Sequence, residues 1–260
     1  MARTWAFPSR GVGLPDYSAS KPVGQVPVGP VYTSSDTGEL AVRLGSPVSF
    51  DRRGNVIWVD DFEDNINKWW VYGGTGGYSF AQSNERARSG ALSGKLVTGG
   101  IDGNWLAVQS GIFYPVLSRV GYEISVLLHD DVETFIHYFW SQGGTHKNWF
   151  GLAWEQATRR LSVYDKTLGW TSIDDDIYLW AGGRVFSTLK LVVDLTTLKY
   201  VRAIVNREAF DLSAYTAYQT DLVGAPSLEI IAWLVGNPGT TPAVYIDDAI
   251  ITQNEPGNLP

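Results

Sequence analysis

Residues 189–212 read LKLVVDLTTLKYVRAIVNREAFDL. Apolar and polar residues alternate along this stretch, and the alternation breaks at Asp194-Leu195-Thr196-Thr197 and again at Asn206-Arg207. A period of two interrupted by short Asp- and Asn-containing segments is the pattern of antiparallel strands joined by tight turns, so three strands are expected here. Leu189, Leu191 and Val193 would share one face, with Lys190, Val192 and Asp194 on the other. On the return strand Val201, Ala203 and Val205 oppose Tyr200, Arg202 and Ile204. Both faces are partly apolar, which calls for cover on both sides and leads us to expect a partner over this domain.

The same alternation recurs on either side of the meander. Strands are expected at residues 56–60, 77–82, 91–98, 105–108, 122–129, 134–140, 148–154, 160–164, 169–172, 228–235 and 243–252, and only residues 65–70 and 213–222 invite a helical turn. Strand after strand at this spacing, with no crossover helices, predicts an all-β chain folded as an antiparallel two-sheet sandwich. Composition agrees. Among 260 residues there are 11 Trp, 13 Tyr and 10 Phe beside 28 Gly and 12 Pro, a blend of ring residues and turn formers that favours sheets over helices.

Before residue 54 the texture differs. The segment is rich in Gly, Pro and Ser, with PVGQVPVGPVY at 22–32, a short strand at 39–45 (ELAVRLG) and a turn at 51–55 (DRRGN). Pro22, Pro27 and Pro30 forbid regular pairing within a central strand, so residues 1–53 read as an extended arm whose order comes from lying along another surface. A linker or flexible leader is the alternative. The expected organisation is an arm at 1–53, a sandwich at 54–254 and a tail at 255–260.

Several function classes are excluded at this level. A net charge of −7 with no basic stripe argues against a nucleic-acid partner. No apolar run reaches bilayer length, and MARTWAFPSR lacks the apolar stretch of a secretory signal, so no membrane partner is expected. Cysteine is absent, which removes disulfides, thiol nucleophiles and Cys-ligated zinc together.

Three pieces in order resemble the jelly-roll domains of carbohydrate-binding modules and concanavalin A-like lectins: DDFEDNINKWW at 60–70, ARSGALSGKLVTG at 87–99 and VYIDDAIIT at 244–252. The resemblance covers roughly residues 56–254. It implies that the first and last strands are neighbours, which would bring Glu63 toward Asp247 or Asp248. It also implies a structural calcium held by Glu63, Asp247 and Asp248 with oxygens of the turn at Ser89 and Gly90. The alternative is that the two aspartates merely end a strand.

Catalytic motifs are missing. Glucanases of this architecture carry an acidic triad along one strand, and no Glu-x-Asp-x-x-Glu strand occurs; Asp130, Asp131 and Glu133, and Asp174 to Asp176, flank turns. Glu155 is the single carboxylate to watch. His129, His137 and His146 have no metal spacing. The expectation is therefore a chain that is not an enzyme and has no catalytic residues.

Aromatic residues are the remaining candidates. In an extended chain one of Trp69 and Trp70 points inward and the other outward, and FIHYFW (135–140) and NWFGLAW (148–154) place rings on both faces of central strands. Such rings stack on sugar C–H faces, or fill a core or a subunit contact. Trp70, Trp105 and Trp149 are the residues nominated for a sugar site.

Three functions are weighed. The first is a structural protein of a virus-like assembly, a phage decoration, fibre or tail component located in the virion, with copies of itself and another shell or tail protein as partners. The second is an extracellular carbohydrate-binding protein or module with a glycan as partner, and the third a glycoside hydrolase of concanavalin A-like fold.

Overall fold

The computed structural model describes residues 53–257, apart from Thr75, Asp102, residues 113–115 and Ala181. The arm expected at 1–53 lies, except for Arg53, outside the described residues. Sixteen strands and no helix occur among the described residues: β1 (Asn55–Asp60), β2 (Trp70–Gly73), β3 (Tyr78–Ser83), β4 (Ser93–Thr98), β5 (Trp105–Ile112), β6 (Arg119–Leu127), β7 (Val132–Gly143), β8 (His146–Glu155), β9 (Arg160–Asp165), β10 (Gly169–Asp174), β11 (Ser187–Asp194), β12 (Lys199–Val205), β13 (Glu208–Asp211), β14 (Tyr218–Asp221), β15 (Ser227–Gly236) and β16 (Ala243–Gln253). Where helical turns were expected, residues 65–70 form only a tight loop into β2 and residues 213–222 end in β14.

All strand pairs are antiparallel and fall into two sheets. Sheet A runs β13-β12-β11-β6-β16-β4-β3, with β1 also on β16; sheet B runs β10-β9-β8-β7-β15-β5-β2, with β14 also on β8. The chain crosses repeatedly between them, as a jelly roll requires. First and last strands pair, Asp60 opposite Ala249, as the resemblance implied.

The core lies between the sheets and is filled by alternate residues of both: Leu106 and Val108 of β5, Phe135 and Phe139 of β7, Leu228, Ile230 and Leu234 of β15 from one side, Tyr122, Ile124, Leu189, Leu191 and Val193 from the other. The opening motif is explained by closure of this core. Asp60, 2% exposed, accepts hydrogen bonds from the Phe62 amide at 3.0 Å and the Trp69 indole at 2.6 Å, and Lys68 Nζ lies 2.7 Å from it. Phe62 and Trp69 stack beneath, 5.6 Å apart.

The 189–212 meander is β11, β12 and β13. Both turns form as expected: the Asp194 carboxylate accepts from the Thr196 and Thr197 amides, and Asn206 takes φ 53°. Face assignment on the return strand needs correction. A register shift between Val192 and Val193 turns Tyr200 into the core beside Ala203 and Val205, where its hydroxyl donates to Tyr164 O at 2.6 Å and accepts from Gly151 N at 2.8 Å. On the outer face Lys190 and Arg202 are 2% and 0% exposed, and the chain itself covers them. Glu255 descends over β6 and β11, its Oε1 2.8 Å from Lys190 Nζ and its Oε2 2.5 Å from Arg202 Nη2. Gly121 makes the room: a Cβ there would stand 2.5 Å from Thr252 Oγ1 and 3.0 Å from Glu255 Oε1.

Candidate functional site: the outer face of sheet B

Pleating puts every second residue of sheet B on the side away from the core. On most strands of a soluble sandwich these positions are polar; here the central ones are aromatic. Trp105 of β5, Trp233 of β15, Tyr138 and Trp140 of β7 and Trp149 of β8 form a second cluster with Ala107, Ile136, Ile231 and Tyr72. Trp105 and Trp233 stack with centroids 4.4 Å apart; Trp233 and Tyr138 are 6.2 Å apart, and Tyr138 and Trp149 6.0 Å. The result is a diagonal stripe of rings across four strands. At its end Lys147 sits over Trp140, 2.9 Å from the ring centroid, and 4.7 Å from Trp149.

Trp70 and Trp170 stand at the two edges, 60% and 45% exposed. Trp70 on β2 leans over Gly111, and Trp170 on β10 over Gly151, where a Cβ would meet the indole at 3.0 Å. Register places Trp70, Gln109, Ile231, Tyr138 and Gly151 in one row, which Tyr164, beside Gly151, and its partner Trp170 continue across the sheet. Seven strands at the usual spacing make that row roughly 30 Å long.

Polar groups among the rings are linked. Tyr72 Oη donates to Gln109 Oε1 at 2.8 Å, Gln109 Nε2 donates to a Glu229 carboxylate oxygen, and Ser227 Oγ donates to the other at 3.2 Å. Burial pushes the Tyr72 hydroxyl up to about 12 and raises Tyr138 as well, so both stay protonated donors. Burial lowers the Lys147 ammonium, against the pull of Glu229.

Trp70, Trp105 and Trp149 thus share one face, while Trp69 is in the core at 5% exposed. Tyr138 and Trp140 belong to the FIHYFW stretch whose rings were read as two-faced, whereas Trp233, Tyr72, Glu229 and Lys147 escaped the sequence reading. For Trp233 and Glu229 the signal was LEIIAWLVG at 228–236, an apolar run with no polar alternation, which fits a strand covered on both faces equally well. Glu155 lies at the end of β8, accepting a hydrogen bond from Thr158 Oγ1 at 3.1 Å. It pairs with Thr134, six residues along β7 from Trp140, the partner of Glu229. The two carboxylates are therefore about 20 Å apart along the strands, far beyond the separation of paired glycosidase carboxylates. His137 faces the core, 0% exposed and 4.1 Å from the Tyr122 ring, and burial holds its imidazole down at about 3.

The carboxylates nominated for calcium, Glu63, Asp247 and Asp248, each reach the loop at residues 88–92. Ser89 Oγ donates to Asp248 at 2.7 Å, the Arg88 and Ser89 amides donate to Asp247 Oδ2, and Glu63 Oε1 accepts from the amides of Ala91 and Leu92, both at 2.7 Å. Most of these oxygens are thereby engaged by the chain itself. Asp248 Oδ2 is buried without a hydrogen bond, and Arg88 Nε, 4.0 Å away, brings the positive charge. A calcium takes six to eight oxygens, and among the described residues no three Asp, Glu or His side chains gather to hold a metal. The donor set as placed does not amount to a calcium cage.

No family model and no curated protein sequence matches the chain. Solved structures do align. A cellulose-induced protein, Cip1, matches with a TM-score of 0.52 at 15% identity, over 78% of this chain and 100% of that one. An endo-β-1,4-glucuronan lyase from the fungus Trichoderma reesei aligns with a TM-score of 0.49 at 11% identity, over 76% and 96%. A carbohydrate-binding module of the β-sandwich superfamily aligns with a TM-score of 0.44 at 9% identity, over 74% and 60%.

The chain is an all-β jelly-roll sandwich. At these identities the likeness is one of fold. It corrects two expectations. A non-enzymatic chain no longer follows, because a jelly-roll sandwich is a fold that hosts enzymes as well as binding domains. A virion component draws no support from the aligned structures. Among the described residues no helix is long and apolar enough to cross a membrane.

Proposed function

We propose that this domain is glycan-active, and that the outer face of sheet B binds a polysaccharide chain lying across its strands. The observation that carries the reading is the stripe Trp105–Trp233–Tyr138–Trp149 on the side of the sheet that the core does not need. Pyranose rings present flat C–H faces that stack on indole and phenol rings. Trp70 and Trp170 at the edges would flank the chain, and the amide and carboxylate of Gln109 and Glu229 would meet its hydroxyls. The protein's tryptophan fluorescence, titrated over a panel of soluble plant, fungal and bacterial polysaccharides, tests this. Binding that Trp105→Ala and Trp233→Ala each weaken supports it; no response from any glycan removes it.

A second reading, cleavage of the bound chain, rests on Glu229. It sits mid-sheet, oriented by Gln109 and Ser227, with Lys147 supplying positive charge. With Glu155 about 20 Å away, such chemistry would run on one carboxylate, assisted by the protonated Tyr72 as a donor. Products released from the glycan that binds, and lost in Glu229→Gln, are the test.

A further inference from the structure

We propose that a second carbohydrate site, for an acidic sugar residue, lies at one end of the sandwich, on the segment joining β10 to β11. Residues 177–180 are extended there and alternate. Ile177 and Leu179 are 3% and 2% exposed and anchored in the core, whereas Tyr178 and Trp180 are 59% and 47% exposed. The backbone is fixed by its neighbours: Ile177 N donates to Arg159 O at 2.9 Å, Trp154 Nε1 to Ile177 O at 3.0 Å, and Gly183 N to Leu128 O at 2.9 Å. Two large rings, 5.7 Å apart and edge to face, are therefore held out in water on a rigid strip. Exposed apolar area of this kind contributes nothing to the core and marks a contact site.

The rings wall a cleft of about 420 Å³, within the range of small-molecule sites, whose other walls include Gln156, Arg159, Arg184 and Asp130. Arg159 is committed to Asp176, 3.0 Å away. Arg184 is exposed and makes no ion pair among the described residues. Gln156 Nε2 donates to Asp130 O at 2.6 Å, which leaves its Oε1 screened from solvent and without a partner. The cleft thus offers a flat ring for a C–H face and a guanidinium for an anion. A pyranose carrying a carboxylate combines both. The chain's net charge of −7 does not oppose this, since charges beyond about 8 Å are screened at physiological salt. None of these residues belongs to the stripe on sheet B, so this site stands or falls without it.

Calorimetric titration of the full chain with a β-1,4-linked glucuronate oligomer, and with a cello-oligosaccharide of equal length, tests the proposal, because the two differ only at C6. The acidic oligomer is expected to bind about tenfold more weakly to Trp180→Ala, the effect of one lost ring contact. Arg184→Gln should cut the preference for the acidic over the neutral oligomer by about tenfold, and lessen its dependence on salt. Trp105→Ala should leave this site unchanged. Both Trp180 and Arg184 are exposed, so unaltered melting curves verify that the variants fold. An acidic oligomer that fails to bind, or binds both variants as it binds the parent, overturns the proposal, as does complete loss of its binding in Trp105→Ala.

Discussion

Trp105 and Trp233 stack 4.4 Å apart at 28° on neighbouring strands that are paired in register, Trp105 opposite Val235 and Trp233 opposite Ala107. The rings are diagonal neighbours on one face, and the small side chain of Ala107 leaves space for the indole of Trp233 to lie flat. Both are only half-buried, on a face turned away from the core. Trp233→Ala should therefore cost little fold stability, about 1–2 kcal/mol, less than a core Trp→Ala. Glycan affinity should fall by at least about tenfold. A denaturant midpoint and a binding isotherm on the same variant separate the two effects; a large loss of stability with unchanged affinity would make the stripe a structural patch.

Glu229 discriminates between holding a glycan and cutting it. Glu229→Gln keeps the shape and an acceptor for Gln109 or Ser227, so affinity should change by no more than about threefold, whereas any cleavage that uses the carboxylate as acid or base should fall by about 10²-fold or more. Tyr72→Phe is the companion: its raised hydroxyl is a donor near neutrality, so its loss should weaken binding without moving the pH profile below about 10.

The fold was legible because alternation is a local signal: turn residues such as Asp194 and Asn206 do their work within a few positions, and each strand of the 189–212 meander formed. What lay hidden depends on relations between distant segments. Tyr200 entered the core through a register shift against β11, which no single strand encodes. Ring residues of β7 and β8 were visibly two-faced, but which face was solvent, and that Trp233 from β15 joined them, follows only once β5, β15, β7 and β8 lie side by side. Glu63, Ser89, Asp247 and Asp248 were singled out by motif order; that Glu63 and Asp247 are held by backbone amides and Asp248 by the Ser89 hydroxyl is a matter of loop geometry.

Acid should act on the core through His137. Its imidazole is neutral in the folded chain, with its titration pushed down to about 3 by burial, against an ordinary value near 6.5 in the unfolded chain. The unfolded state therefore binds the extra proton. The contribution is complete above about pH 6.5 and is lost as pH falls toward 3, by up to about 1.4 kcal/mol per unit. His137→Phe should flatten that limb of the stability profile; a profile identical to the parent would mean that other groups govern acid unfolding.

Asp247 should act in the opposite sense. Burial, then the charge of Asp248, pushes its carboxyl up to about 7, so the folded chain keeps a proton that the unfolded chain releases near 3.8. Its contribution is complete below about pH 4 and declines as pH rises to 7, again by up to about 1.4 kcal/mol per unit. Asp247→Asn removes the decline. A chelator added to the parent should leave the melting temperature unchanged, because Arg88 and backbone amides supply the pair's partners; a fall of several degrees on chelation would establish a bound cation instead.

The two-faced meander led us to expect a partner over this domain; over Lys190 and Arg202 the chain's own Glu255 stands. Lys190, Arg202 and Glu255, each at most 2% exposed, share this face with Glu123, which is 4% exposed and opposite Lys190 in the β6–β11 pairing, and loss of one buried counter-charge from such a set costs far more than a pair contributes. Glu255→Gln retains the shape and one acceptor, yet should lower stability by roughly 3–5 kcal/mol. Guanidinium unfolding should register this as a lower midpoint with an unchanged slope, since the same surface is exposed. Replacing Lys190, Arg202, Glu123 and Glu255 together by Met, Met, Leu and Leu should recover most of the loss, because all four desolvation costs disappear with the charges. If Glu255→Gln costs less than about 1 kcal/mol, the tail does not seal this face, and the cover over β11 and β12 must come from another molecule after all.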